Sequence, residues 1–79
     1  MFRLIITIIM DIKIQFGNRI RKLRENIWLS QDKLAFKSGI HRTWIGIVER
    51  GQRNLTLENI EKLAKALGIS IEELFKGFK

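Results

Sequence analysis

The hydrophobic positions of this chain recur at helical spacing from residue 12 onward. In the first such segment, residues 12–27, four apolar side chains follow one another at intervals of four, three and four: Phe16, Ile20, Leu23 and Ile27. This spacing predicts an amphipathic helix with one core-facing stripe. Asp11 is placed to cap its first turn, and basic residues cover its other faces.

A second helix is predicted after Ser30, which is a favoured N-cap residue. Leu34, Ala35 and Ser38 share one face of this helix. Gly39 then ends it, because glycine enters the left-handed conformation without a Cβ clash. Before this second helix, Trp28 stands where the chain leaves the first helix, and a positive φ at Trp28 would strain the backbone by about 1 kcal/mol.

A third helix is predicted to begin at His41 or Arg42 and to stop at Gly51. Its inward face holds Ile45, Val48 and Glu49, and its outward face holds Arg42, Thr43 and Gly46. Two short helices joined by a glycine-containing turn form either an ordinary helical hairpin or a helix-turn-helix, whose second helix suits the DNA major groove.

Two further helices are predicted near the C-terminus. Thr56 caps a helix from Leu57 to Leu67, ended by Gly68, with a core stripe of Leu57, Ile60, Leu63, Ala64 and Leu67. Ser70 and Glu73 have the spacing of a capping box, which predicts a short last helix from Ile71 to about Lys76. With no proline in the chain, the predicted fold class is all-α with five helices.

Residues 2–9 are almost continuously apolar, but a bilayer-spanning helix needs about 20 residues. A signal peptide is disfavoured because the run is short and no small-residue cleavage site follows. Two interpretations stay open: an extra strand, or a leader that precedes a start at Met10. We therefore divide the chain into a peripheral extension, residues 1–10, and one domain, residues 11–79.

The net charge of +7 is unevenly distributed. Residues 11–53 hold ten basic and four acidic side chains, whereas residues 54–79 hold four of each. A polyanion is the natural partner of such a surface, although a basic surface also keeps small proteins soluble. Residues 2–27 also allow a membrane-surface interpretation. The absence of cysteine fits a reducing cytoplasm, and the sequence offers no paired metal ligands or catalytic cluster, so we expect no enzyme, metal or cofactor.

The run LSQDKLAFKSGIHRTWIGIVERGQRNLTLENIEKLAKALGISIEELF resembles the five-helix phage-repressor-like (Xre-type) helix-turn-helix family. Within it, HRTWIGIVERGQRNLTLENI is most similar to the controller proteins of restriction–modification systems. The resemblance implies a cytoplasmic transcription regulator that binds its own promoter on double-stranded DNA as a homodimer. A contact with RNA polymerase belongs to the same expectation. A phage-type repressor or an autoregulating antitoxin is the alternative.

The resemblance also assigns residues to the expected interface. Base reading falls to three positions of the third helix: Arg42, Thr43 and Gly46. The family's side-chain contacts to the DNA backbone map onto Gln31, His41, Trp44, Gln52, Arg53 and Asn54. Gly46 stands where a small polar residue is usual, and Trp44 stands where tyrosine is usual. Glu49 is expected to be a structural acid that holds Arg50 or a backbone amide.

The neutral C-terminal third is predicted to form the dimer contact, because two basic faces would repel each other. Its apolar candidates are Ile69, Ile71, Leu74, Phe75 and Phe78.

Overall fold

The computed structural model describes residues 11–78. The predictions for residues 1–10, a strand or a leader, lie outside the described residues. Within the described chain there are five helices: α1 Ile12–Asn26, α2 Gln31–Ser38, α3 Arg42–Glu49, α4 Leu57–Leu67 and α5 Ile71–Leu74. The predicted five-helix, all-α fold is confirmed for this part of the chain.

The helix starts lie where the capping residues predict them. Each helix is preceded by a side chain that accepts a hydrogen bond from a backbone amide of the first turn: Asp11, Ser30, His41, Thr56 and Ser70. Helices α2 and α4 end at glycines with φ of 73° and 74°, as expected for left-handed C-caps. Helix α5 is one turn only, shorter than predicted, and the carboxylate of Glu73 accepts a hydrogen bond from Arg19.

The core takes one fully buried aliphatic side chain from each helix: Ile20, Leu34, Ile45, Leu63 and Leu74. Helix α3 packs on α1 and α2, while α4 packs on α2 and α5. Gly17 allows the closest approach, since a Cβ there would lie 2.3 Å from the carbonyl oxygen of Val48. This packing fixes the inward face of α3 and leaves its first turn exposed.

Three apolar predictions are wrong. Ile27 and Leu57 are exposed rather than part of the core, and Leu57 retains 84% of its accessible surface. Leu74 is fully buried, so it belongs to the core and cannot form the dimer contact that the sequence suggested. In each case the residue lies in the first or last turn of its helix or just beyond it, where periodicity alone does not say which neighbour is present.

Two arginines of α1 are structural rather than solvated. Arg19 donates to the carbonyl oxygens of Glu73 and Leu74 at 2.7 and 3.2 Å. It thereby joins α1 to the carbonyl end of α5, where a cation also suits the helix dipole. Arg24 has a comparable role toward α3, described below.

Candidate nucleic-acid interface

The start of α3 presents three exposed side chains, Arg42, Thr43 and Trp44. The turn before it is set by Gly39 in the left-handed conformation. His41 then caps α3 by accepting a hydrogen bond from the Thr43 amide at its Nδ1, 3.1 Å away. His41 is thus the N-cap of α3, and its contact with DNA stays a prediction. The N-terminal residues of such a helix are the ones that reach base edges in helix-turn-helix proteins.

Arg42 is oriented by an acid of the preceding helix. Its Nε lies 2.5 Å from Oδ1 of Asp32, and both side chains remain mostly exposed. Because Asp32 takes the Nε side of the guanidinium, the two terminal nitrogens stay available for a ligand. An arginine in this state can donate two hydrogen bonds to guanine O6 and N7.

Trp44 and Arg53 form one unit across the end of α3. The guanidinium carbon of Arg53 lies 5.0 Å from the centre of the Trp44 ring, within the range of a cation–π contact. The sequence assigned both residues to the DNA backbone separately. The structure brings them together, so part of the indole face is used to hold Arg53.

Gly46, which the sequence places on the outward face of α3, is buried. A Cβ on Gly46 would meet the terminal nitrogen Nη1 of Arg50 at 3.3 Å. The position does point outward, but the side chain of Arg50 covers it. Arg50 itself is exposed and was not among the predicted contacts.

The loop after α3 carries the remaining predicted contacts. Gln52, Arg53 and Asn54 are all exposed. Gln52 is also engaged within the chain, because its Oε1 accepts a hydrogen bond from Nε of Arg50 at 3.2 Å. The position of this loop beside α3 is thus observed, and its contacts with phosphate stay predictions.

A buried carboxylate fixes α3 from behind. Glu49, only 3% exposed, accepts two hydrogen bonds from Arg24, at 2.6 and 2.9 Å. Gln31 donates a third at 3.0 Å, and Arg21 lies at 3.5 Å. Glu49 is therefore the structural acid that was expected, but the prediction that it holds Arg50 or a backbone amide is wrong.

Burial raises the pKa of the Glu49 carboxyl, but the hydrogen bonds from Arg24, Gln31 and Arg21 outweigh burial and hold the pKa below its ordinary value. The carboxylate is thus charged and links α1, α2 and α3. Gln31, which is predicted to contact the DNA backbone, donates one amide hydrogen to the Glu49 carboxylate. Its phosphate contact stays a prediction.

Sequence reasoning missed Asp32 and Arg50. Asp32 lies in the first turn of α2, where an acid suits the helix dipole, and only the packing of α2 against α3 reveals that it meets Arg42. The signal for Arg50 was present in the chain, since a glycine four positions earlier on the same helix leaves room for a long side chain.

The predicted dimer residues lie in different environments. Ile69, Phe75 and Phe78 pack partly against the core, and Phe75 contacts the rings of Phe16 and Phe78 at centroid distances of 5.4 and 4.9 Å. Ile71 is half exposed. It lies beside a shallow apolar groove, which we call the α4–α5 groove, lined by Leu57, Glu58, Ile60, Glu61, Ile71 and Phe75.

Residues 11–78 lack the features of two other kinds of site. No helix in this range is long and apolar enough to cross a membrane. No group of three or more His, Asp or Glu side chains in the same range is arranged to hold a metal ion.

Residues 20–74 match the model of the family HTH_3, described as helix-turn-helix. Among characterised proteins, the control protein C.BamHI of Bacillus amyloliquefaciens is 46% identical over 65 residues, which is 81% of this chain and 80% of that protein. The control protein C.SmaI of Serratia marcescens is 49% identical over 65 residues, covering 82% of this chain and 77% of its own.

Solved structures lead to the same group of proteins. The restriction–modification controller protein C.AhdI of Aeromonas hydrophila superposes with a TM-score of 0.78 at 56% identity, covering 80% of this chain and 96% of that one. The controller protein C.Esp1396I, solved as a tetramer in complex with its natural 35-base-pair operator, gives a TM-score of 0.76 at 34% identity. That match covers 81% of this chain and 84% of the other.

Proposed function

This chain belongs to the helix-turn-helix family, HTH_3, and we propose that it is a restriction–modification controller that binds a two-fold DNA operator as a pair of copies. The observation that carries the proposal is the exposed start of α3, where Arg42, Thr43 and Trp44 stand free of the core. It is a binding protein rather than an enzyme, and it acts in the cytoplasm, where the DNA is.

The charge supports a polyanionic partner on this side of the molecule. Most of the basic excess belongs to residues 11–53, which include α1, α2 and α3. Lysines and arginines that neutralise phosphates release counterions, so binding weakens steeply with salt. Arg53 and Asn54 in the loop after α3 contact the sugar–phosphate backbone, and Arg42 and Thr43 contact base edges.

Two copies are needed because one recognition helix reads only a few base pairs, too few to single out one promoter. We place the contact between copies at the α4–α5 groove, with the exposed Leu57 and Ile71 as its apolar contacts. This replaces the earlier prediction, in which Leu74 was central. The C-terminal third of the chain has equal numbers of acidic and basic residues, so two such surfaces approach without net repulsion.

As a controller, the protein binds its own promoter and the promoter of the linked restriction enzyme. It activates at low occupancy and represses at high occupancy, and in the activating state it contacts RNA polymerase. C.Esp1396I, whose structure shows a tetramer on a 35-base-pair operator, illustrates an assembly of more than one pair on one operator.

In vitro selection from random duplex DNA with the full chain tests the proposal. We expect an enriched sequence with two-fold symmetry, whose half-sites are spaced by about 34 Å or a multiple of it. Sedimentation of the complex on a single enriched site should give an even number of copies. Recovery of unselected sequences, or of one asymmetric half-site bound by a single copy, would contradict the proposal.

A further inference from the structure

We propose that Arg50, at the end of α3, is a second base-reading residue, and that its guanidinium occupies the place that Gly46 leaves without a side chain. Its ligand is a guanine edge in the major groove. The inference rests on the proposed function, because it assigns a specificity-determining residue within the same DNA interface.

The first observation is the contact between Arg50 and Gly46. Among the atoms outside the backbone of α3 and the residues next to Gly46, only Nη1 of Arg50 comes within 4 Å of a Cβ built on Gly46. Long side chains on a helix point back toward its N-terminus. The guanidinium therefore lies along the outer face of α3 instead of extending past its end.

The second observation is alignment. Arg42, Gly46 and Arg50 are four residues apart in turn, so they form one row along α3. The guanidinium of Arg50 lies above the middle of this row, on the face that Arg42 shares. The guanidinium groups of Arg42 and Arg50 thus lie on the same side of one helix, the side that would face the major groove of DNA.

The third observation is the orientation of the Arg50 side chain. Oε1 of Gln52 accepts a hydrogen bond from Nε of Arg50 at 3.2 Å. Arg50 is exposed. Its terminal nitrogens Nη1 and Nη2 have no hydrogen-bond or ion-pair acceptor within residues 11–78. This is the same arrangement as at Arg42, where Asp32 takes the Nε side and leaves both terminal nitrogens.

The chemistry then favours guanine. Its O6 and N7 accept two hydrogen bonds from one guanidinium, the commonest specific contact in the major groove. A phosphate would accept the same donors, but the guanidinium lies over Gly46, in the row of α3 that begins with the predicted base-reading residue Arg42. Gln52, assigned to the DNA backbone on sequence grounds, acts on this account as a positioning residue for Arg50.

The test repeats the selection from random DNA with full-length wild type and the variants Arg50→Ala, Gly46→Ala and Arg42→Ala. Lys62→Ala, which removes one exposed cation of α4, is the charge-matched control. Affinities for the wild-type operator and for random duplex are measured by fluorescence anisotropy over a range of salt. Circular dichroism confirms helical content.

We expect Arg50→Ala to lose preference at one guanine per half-site, different from the one that Arg42→Ala loses. Operator affinity should fall about 5- to 150-fold, the range of a lost base contact, with a much smaller change on random DNA. Gly46→Ala crowds the guanidinium, so it should weaken preference at the base pair that Arg50→Ala affects. Lys62→Ala should leave the selected sequence unchanged.

An equal loss on operator and random DNA, with a smaller salt slope, would show that Arg50 binds phosphate and would overturn the inference. So would an unchanged selected sequence for Arg50→Ala. Failure of the wild type to enrich any sequence is a different result, because it overturns the proposed function together with this inference. Enrichment by the wild type with no role for Arg50 overturns the inference alone.

Discussion

At the residue scale, Glu49 explains why α3 holds one orientation. Its carboxylate is charged and inaccessible to solvent, yet it has partners on α1 and α2. Breaking a buried ion pair from one side is costly because it leaves the other charge without compensation. A buried side chain thus helps to fix the orientation of the helix that carries Arg42 and Thr43.

Replacing Glu49 by Gln should lower the free energy of unfolding by about 3 kcal/mol at pH 7, because Arg24 loses its ionic partner. The folded-state pKa of Glu49 lies below the unfolded value. Its contribution is therefore fully present above the unfolded pKa and is lost as the pH falls through the folded pKa.

Urea titrations of both proteins between pH 7 and pH 3 measure this difference. The gap between wild type and Glu49→Gln should narrow as the pH falls below about 4.5. Arg21→Gln serves as the control, because Arg21 is about half exposed and lies at the edge of the cluster, so its loss should cost less than about 1 kcal/mol. A gap that stays constant with pH would contradict the account.

Trp44 and Arg53 give a second prediction at this scale. If the indole holds Arg53 in place, Trp44→Leu should reduce operator affinity about two- to fivefold, as expected for a cation–π contact of about 0.5–1 kcal/mol. In an Arg53→Ala background the same substitution should have almost no further effect. Trp44→Phe should retain most of the affinity.

Anisotropy titrations of the four proteins of this double-mutant cycle measure the coupling. Trp28→Leu is the control, because Trp28 is an exposed tryptophan that has no aromatic or cation contact within residues 11–78. Fully additive losses for Trp44 and Arg53 would mean that each contacts DNA independently.

At the element scale, helix starts were the most predictable feature and helix faces the least. Ser30, Thr56 and Ser70 cap where the sequence places them, because the capping hydrogen bond is local. Leu57 was predicted in the core and is exposed, whereas Leu74 was predicted at the surface and is buried. Burial depends on which helix lies opposite. A periodic pattern contains no information about that neighbour.

The functional surface shows the same division. Exposure of Arg42 and Thr43 at the start of α3 followed from the pattern of that helix alone. The contacts that orient the surface did not, because Asp32, Gln31 and Arg24 reach α3 from other helices. The covering of Gly46 by Arg50 could not be predicted from the sequence either, because it depends on the rotamer of the Arg50 side chain.

The turn after α1 provides the prediction at this scale. Trp28 has φ of 59°, the left-handed conformation that costs a non-glycine residue about 1–2 kcal/mol, and it is 94% exposed. Trp28→Gly should therefore raise the free energy of unfolding by up to about 1 kcal/mol, after the greater flexibility of glycine in the unfolded chain is subtracted.

Thermal and urea unfolding measure this change, and operator affinity should not alter. Trp28→Ala is the matched control: it removes the same ring but keeps a Cβ in the left-handed conformation, so it should not stabilise. Equal effects of glycine and alanine would show that the ring, rather than the backbone, determines the energy.

At the scale of the whole molecule, the chain has a basic part, residues 11–53, and a neutral part, residues 54–79. Residues 11–53, which form and support the α3 surface, carry most of the basic excess, and the C-terminal third is neutral. An exposed apolar groove in the neutral part suits self-association, since apolar patches on small domains mark contact surfaces. Dimerisation would also stabilise a domain of this size.

Leu57→Glu and Ile71→Glu test the position of the contact. Both side chains are exposed, so each variant should keep its helical content. We propose that the wild type is a dimer at tens of micromolar, and each variant should sediment as a monomer there, because the new charges would face each other across the proposed two-fold axis. Operator affinity should fall, with little change on random DNA.

Phe36→Glu is the control for these variants. It places the same charge on an exposed aromatic of α2, outside the α4–α5 groove, and should remain dimeric. A monomeric wild type, or dissociation caused by Phe36→Glu alone, would move the contact elsewhere. Leu74→Glu is unsuitable for this purpose, because it buries a charge in the core and should unfold the domain.

The most direct measurement is the ratio of operator affinity to random-DNA affinity for wild type and Arg42→Ala at one fixed salt concentration. If the start of α3 reads bases, the variant loses about 1–3 kcal/mol on the operator. Its affinity for random DNA then changes far less, so the ratio of operator affinity to random-DNA affinity falls. Equal losses on both DNAs would show that Arg42 binds only the backbone and would contradict the claim that this surface reads sequence.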